Sequence, residues 1–121
     1  MNIESDSFEL FDLKVEVVGN QNKMVCSHRV GDHFFVQGEN ISFPEQQGFS
    51  LYAMAALLPL LPAKQRQTDL NDWMSTDELI ACPDPNCGAR FRITRTGKSV
   101  FHHSQVTATP LKSGIREPND A

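Results

Sequence analysis

Between Phe8 and Val18 the apolar residues stand at Phe8, Leu10, Leu13, Val15, Val17 and Val18, alternating with polar ones around Asp12 and Lys14. Successive side chains of a strand point to opposite faces, so this pattern predicts a first strand with one buried face. Gly19-Asn20-Gln21-Asn22 then supplies turn residues. A second apolar stretch runs through Met24 and Val25. Gly31-Asp32 breaks it before a strand at His33-Phe34-Phe35-Val36, and Gly38-Glu39-Asn40 ends that strand. Phe43 to Gln47, with Pro44, reads as a loop.

The pattern changes at Ser50, whose hydroxyl is placed to accept an orphan backbone N–H at the start of a helix. Leu51 to Leu58 is rich in helix formers and apolar on nearly every side, which predicts a helix central to the core or covered by a partner. Pro59 kinks or ends it, and Pro62 reinforces the stop. Lys64 to Asn71 is a polar connector. Ser75-Thr-Asp-Glu78 resembles a capping box, but Pro83 leaves little room for a helix, so a third strand is expected at Glu78–Cys82. Pro83 to Gly88 is a dense turn, and the alternating Arg90–Arg95 predicts a fourth strand paired with the third as a hairpin. Thr96-Gly97 then turns the chain into a short fifth strand, Ser99–His102. The expected architecture is α+β: an antiparallel sheet of four or five strands against one apolar helix. Residues 1–7 are expected to form a loose acidic tail, 8–103 the domain, and 104–121 a polar tail.

A chain of 121 residues suits one such domain, and 40% hydrophobic with 21% charged residues is a globular composition. Its net charge is −4, and Glu4, Asp6, Glu9 and Asp12 are four negatives near the start, leaving the remainder close to neutral. Neither part offers the basic surface that phosphate-driven nucleic-acid binding needs. The N-terminus lacks the basic-then-apolar pattern of a secretory signal, and the apolar run Leu51–Leu61 is about half a membrane span. A cytoplasmic location with reduced thiols is therefore expected. Three cysteines, an odd number, do not imply a disulfide scaffold.

Those cysteines carry the candidate chemistry. Cys26 and His28 are two apart, so on an extended strand a thiolate and an imidazole share one face. Cys82 and Cys87 flank a tight turn and can add two sulfurs. Together Cys26, His28, Cys82 and Cys87 have the composition of a zinc site, although Cys26-x-His28 is shorter than usual zinc-knuckle spacing and Pro83 and Pro85 stiffen the second pair. The competing reading makes Cys26 and Cys82 ordinary buried residues and His28 a surface one. A thiol beside an imidazole can also act as a nucleophile or redox group, but there is no C-x-x-C, no orienting residue and no oxyanion-hole motif. Asp32 and Asp84 stand beside Gly or Pro, where Asp serves turns. Arg90, Arg92 and Lys98 read as a solvated strand face, His102-His103 as incidental, and Trp73 as a lid on the core.

Cys26-Ser-His-Arg-Val-Gly-Asp-His-Phe, the Leu/Ala/Pro-rich helix, Asp72-Trp73 and Ala81-Cys-Pro-Asp-Pro together resemble a family of small bacterial domains that carries no assigned activity. The resemblance spans about Val15 to Arg95. It covers Cys26, His28, Gly31, Asp32, Trp73, Cys82, Pro83 and Asp84 but not Cys87, and it implies no substrate. Two expectations follow from the sequence. One is a non-enzymatic accessory or interaction domain, a homo-oligomer or bound to a partner protein, without nucleic acid or membrane. The other is a small zinc-binding or thiol-dependent protein built on Cys26, His28 and Cys82.

Overall fold

A computed structural model describes residues 6–112. Its framework is the pairing of two long strands, β1 (Ser7–Gly19) and β5 (Ala89–His102), which run antiparallel along their whole length. β2 (His33–Gln37) flanks β1, β3 (Asn40–Ser42) pairs with β2, and β4 (Leu79–Ala81) pairs with β5. The sheet order is β3-β2-β1-β5-β4, antiparallel throughout. The α+β class expected from the alternation is present.

Alternation decides which face is buried. Leu13, Val15 and Val17 of β1, Phe34 and Val36 of β2, and Ala89, Phe91 and Ile93 of β5 all fall on one face and are buried. Helix α1 (Leu51–Leu57) and helix α2 (Leu61–Gln65) supply Ala53, Leu57 and Leu61 to the same cluster. Ser50 caps α1 as its position suggests, its Oγ accepting from the Ala53 N–H at 3.3 Å.

Several expectations are corrected. Thr96-Gly97 is not a turn between two strands, because β5 continues through it. Asp12 faces Gly97 while Leu13 faces Arg95, so Thr96 is an extra residue on β5. A glycine inside a strand commonly marks such a bulge. The bulge is tied down by Ser99 Oγ, which donates to Asp12 Oδ1 at 2.7 Å, and by Thr96 Oγ1, which donates to the Asp12 carbonyl. Gly38-Glu39-Asn40 does not end the sheet either. With Gly38 at φ 59° it reverses the chain into β3, a strand too short to show alternation.

The apolar helix is not wrapped by the core. Leu51 and Tyr52 are 76% and 74% exposed, and only Ala53 and Leu57 of α1 are buried. Pro59 does end the first helix, but Pro62 sits in the first turn of α2, where its missing N–H costs nothing. Trp73 is not a lid, being 65% exposed, while the neighbouring Met74 is buried. Lys64 reaches inward from α2 and donates its ammonium to the carbonyls of Met74 and Asp77, which fastens the segment before β4 to the core. Burial pushes the Lys64 pKa down, and Arg95 adds to this, while Asp77, Glu78 and Asp72 oppose it.

Most of the expected N-terminal tail lies outside the described residues, but Asp6 belongs to the fold. Its carboxylate pairs with His102 Nδ1 at 3.0 Å and accepts from both the N–H and the hydroxyl of Ser104, at the start of the short helix α3 (His103–Val106). These contacts, led by the His102 hydrogen bond, hold its pKa at about 2. His102 is therefore a structural partner rather than incidental.

A candidate thiol centre

The β1–β5 register brings the two cysteine-bearing segments together. Gly19, the last residue of β1, is opposite Ala89, the first of β5, so the chain leaving β1 and the chain approaching β5 share one end of the sheet. Close approach there depends on glycine. Gly19 adopts φ +110°, and a Cβ on it would come within 2.3 Å of the Gly88 carbonyl oxygen. A Cβ on Gly88 would lie 2.7 Å from Lys23 Cβ. The Gly88 N–H donates to the Lys23 carbonyl at 2.8 Å and locks the two segments side by side.

Residues 24–32 are turns and bends rather than a strand, so Cys26 and His28 do not share a strand face as the two-residue spacing predicted. Gln21 holds this loop, accepting from the Val30 N–H at 2.7 Å and donating to the His28 carbonyl at 3.2 Å. Asp32 accepts from the Arg29 N–H, and Asp84 accepts from the Asn86 N–H, so both act as turn residues. Arg90 donates to the carbonyls of Cys87 and Ala89, at 3.1 and 2.7 Å, and braces the start of β5.

Within this frame the sulfurs converge. Cys26 Sγ and Cys87 Sγ are 3.4 Å apart, across 61 residues of sequence. The Cys82 thiol also interacts with that of Cys87. Cys87 is the hub, only 2% exposed, while Cys26 and Cys82 are half-buried. A backbone amide two residues further on favours the thiolate at each position: that of His28 for Cys26, Asp84 for Cys82 and Ala89 for Cys87. Cys87 also accepts from Val25, at 3.4 Å, and from the Cys26 N–H. Amide dipoles aimed at sulfur favour the thiolate, and thiolates are what bind metals or attack electrophiles.

The three thiols differ in consequence. Burial raises the Cys87 pKa, but the N–H bonds from Ala89 and Val25, with the Cys26 thiol, outweigh it and bring the group to about 7. Burial raises Cys26 and Cys82, their single N–H bonds counter it only in part, and proximity to Cys87 pushes both further up. Of the three, the most buried member is thus the one on which the thiolate is most favoured.

His28 stands apart from the thiols. It is 3% exposed rather than on the surface, and its Nε2 faces the Ser50 N–H at 3.4 Å. The ring packs edge-on against Phe49 and Phe91. Burial lowers its pKa, with Asp32 opposing, so a neutral ring fits its surroundings. Its backbone N–H, not its imidazole, is what it gives to Cys26. Among the described residues no group of three or more His, Cys, Asp or Glu side chains is placed so that it could hold a metal ion.

The sequence undervalued Cys87, which lies outside the family resemblance yet makes the most contacts to the other thiols. The available signal was the glycine directly after it, which closely approaches Gly19 at the end of the first strand. A cavity of about 510 Å³ opens at the far end of the β1–β5 pair, lined by Phe8, Gly38, Pro62, Arg66 and Phe101 among others, with no cysteine or histidine in its wall. Comparison with protein-family models, with curated proteins and with solved structures returns no match to the chain. Among the described residues no helix is long and apolar enough to cross a membrane.

Proposed function

We propose that this domain is a small metal-binding protein whose Cys26, Cys82 and Cys87 thiolates hold a borderline or soft ion such as zinc. The observation that supports this reading is the 3.4 Å approach of Cys26 Sγ to Cys87 Sγ, with the Val25 N–H aimed at Cys87 Sγ at 3.4 Å. A neutral buried thiol accepts such an amide only weakly, whereas a metal-bound thiolate retains charge that the dipole stabilises. Thiolates about 2.3 Å from a tetrahedral zinc are about 3.8 Å apart, so the Cys26–Cys87 pair needs to open by only about 0.4 Å. Cys82, whose thiol interacts with that of Cys87, supplies the third sulfur. His28 serves as packing behind the loop rather than as a ligand, and the fourth position falls to water or an incoming group.

The test is elemental analysis of untagged protein grown in zinc-containing medium, followed by exchange to cobalt. We expect about one ion per chain and an intense sulfur-to-cobalt charge-transfer band. Protein that carries no metal after zinc loading and shows no such band overturns the reading.

A second reading, the accessory or interaction domain, is favoured by the exposed Leu51, Tyr52, Leu70 and Trp73, at 76%, 74%, 88% and 65%. Large exposed apolar groups suit a protein contact better than water. On this reading the chain self-associates, and sedimentation should give a mass above the 13.6 kDa of one chain that falls to it in Leu51→Glu/Tyr52→Glu. A monomer at every concentration up to the solubility limit removes the self-association.

A further inference from the structure

Two of the sulfurs are already in contact, and that contact has a chemistry of its own. We infer that Cys26 and Cys87 close into a reversible disulfide under a small-molecule disulfide oxidant, a step that ejects the metal ion and leaves Cys82 as the one free thiol. This inference rests on the metal-binding reading only for the ejection; the disulfide itself stands on geometry.

The two sulfurs lie 3.4 Å apart and need to approach to about 2.05 Å, a closure of little more than one ångström. Backbone contacts already hold the segments at that separation. The Val25 N–H donates to Cys87 Sγ, and the Gly88 N–H donates to the Lys23 carbonyl. Accessibility orders the steps. Cys26 is half-buried and Cys87 is 2% exposed, so the oxidant meets Cys26 first.

The exchange balances as two displacements. Cys26, its thiol proton passing to Cys87 3.4 Å away, attacks one sulfur of the oxidant RSSR, forming a Cys26–SR bond and releasing RS⁻, which takes that proton from Cys87 and leaves as RSH. The Cys87 thiolate then attacks Cys26 Sγ, forming the Cys26–Cys87 bond and releasing a second RS⁻. The protein loses two electrons, and the oxidant is reduced to two thiols. In the disulfide neither Cys26 nor Cys87 carries the negative charge of a thiolate donor, so a three-thiolate set falls to one and the ion leaves.

The experiment treats full-length protein with glutathione disulfide, in parallel metal-free and zinc-loaded samples. Each is quenched in acid, alkylated, digested and mapped by mass spectrometry, with released zinc followed by a chromophoric chelator. The expected product is a chain two hydrogens lighter, with a Cys26–Cys87 linked peptide and an alkylated Cys82, and zinc release in step with the link. Cys82→Ser should form the same link. Persistent glutathione adducts without a link, or a main product linked through Cys82, overturn the inference. The metal-free arm reports the disulfide even if zinc never binds, and a zinc-loaded protein that never forms the link leaves the metal reading intact while ending this one.

Discussion

Cys87→Ser should abolish metal binding and destabilise the domain more than serine at either other cysteine. Cys87 is the only one of the three that is fully buried, and it accepts backbone N–H groups from Val25, Cys26 and Ala89. A serine oxygen sits closer to its Cβ than sulfur does, so these donors are left reaching across a gap. Buried amides without a good acceptor carry a desolvation penalty. We expect a loss of about 1–3 kcal/mol in metal-free protein. The loss should grow by several kcal/mol when wild type and variant are compared in zinc, because binding energy adds to folding energy. Cys82→Ser, at a half-buried position with a single N–H bond from Asp84, should cost less without metal yet release the ion equally well. Urea denaturation with and without zinc measures both differences. If Cys87→Ser and wild type gain the same stability from zinc, Cys87 is not a ligand and the centre is only core packing.

The framework of the fold was legible because it depends on local pattern. The alternation through Leu13, Val15 and Val17, and through Phe91 and Ile93, marks one buried face, and β1 and β5 bury those residues. Ser50 marked the start of α1 because capping is a local event. What failed involved residues whose local meaning is ambiguous. Thr96-Gly97 has the composition of a turn and of a strand bulge, and only the partner strand decides between them. Pro62 stops a helix at its interior and starts one in its first turn, and the choice depends on where α2 begins. Leu51 and Tyr52 looked buried because apolar residues usually are, yet no element of the described residues covers them.

The candidate site was half legible for the same reason. All three cysteines were visible, but their grouping depends on contacts 61 residues apart, fixed by the β1–β5 register and the Gly19–Gly88 approach. Two-residue spacing suggested that Cys26 and His28 act together as side chains. That inference needed a strand, and the segment is a bent loop clasped by Gln21. In such a loop residue i+2 offers its backbone N–H to the sulfur rather than its side chain to the same ion.

Phe91→Ala should be among the most damaging single changes in the core and should loosen the thiol centre as it does so. Phe91 is fully buried, and it faces Val17 on β1 and Ile80 on β4, at the centre of the sheet's inner face. Its ring meets His28 at 5.2 Å and Phe49 at 5.7 Å between centroids, and it thereby supports the loop that presents Cys26. Removing the ring leaves a cavity that β1 and β5, paired along their whole length, cannot collapse to fill. The expected cost is about 3–5 kcal/mol. Because Phe91 lies only two residues beyond Ala89, whose N–H bonds Cys87, the loss should not stay in the core. His28 loses one of its two ring neighbours, and the 24–32 loop loses part of its seat. Alkylation of Cys26 and Cys87 under native conditions should therefore accelerate by more than that of Cys82, whose strand end is held by its pairing with Arg90 through Ala81. Val100→Ala, at a 55% exposed position near the far end of β5, provides the comparison and should stay within about 0.5 kcal/mol of wild type. Urea denaturation and timed alkylation read the two effects separately. Equal stability in the two variants would remove Phe91 from the core, and uniform acceleration at all three cysteines would show global unfolding rather than a coupling between Phe91 and the thiol loop.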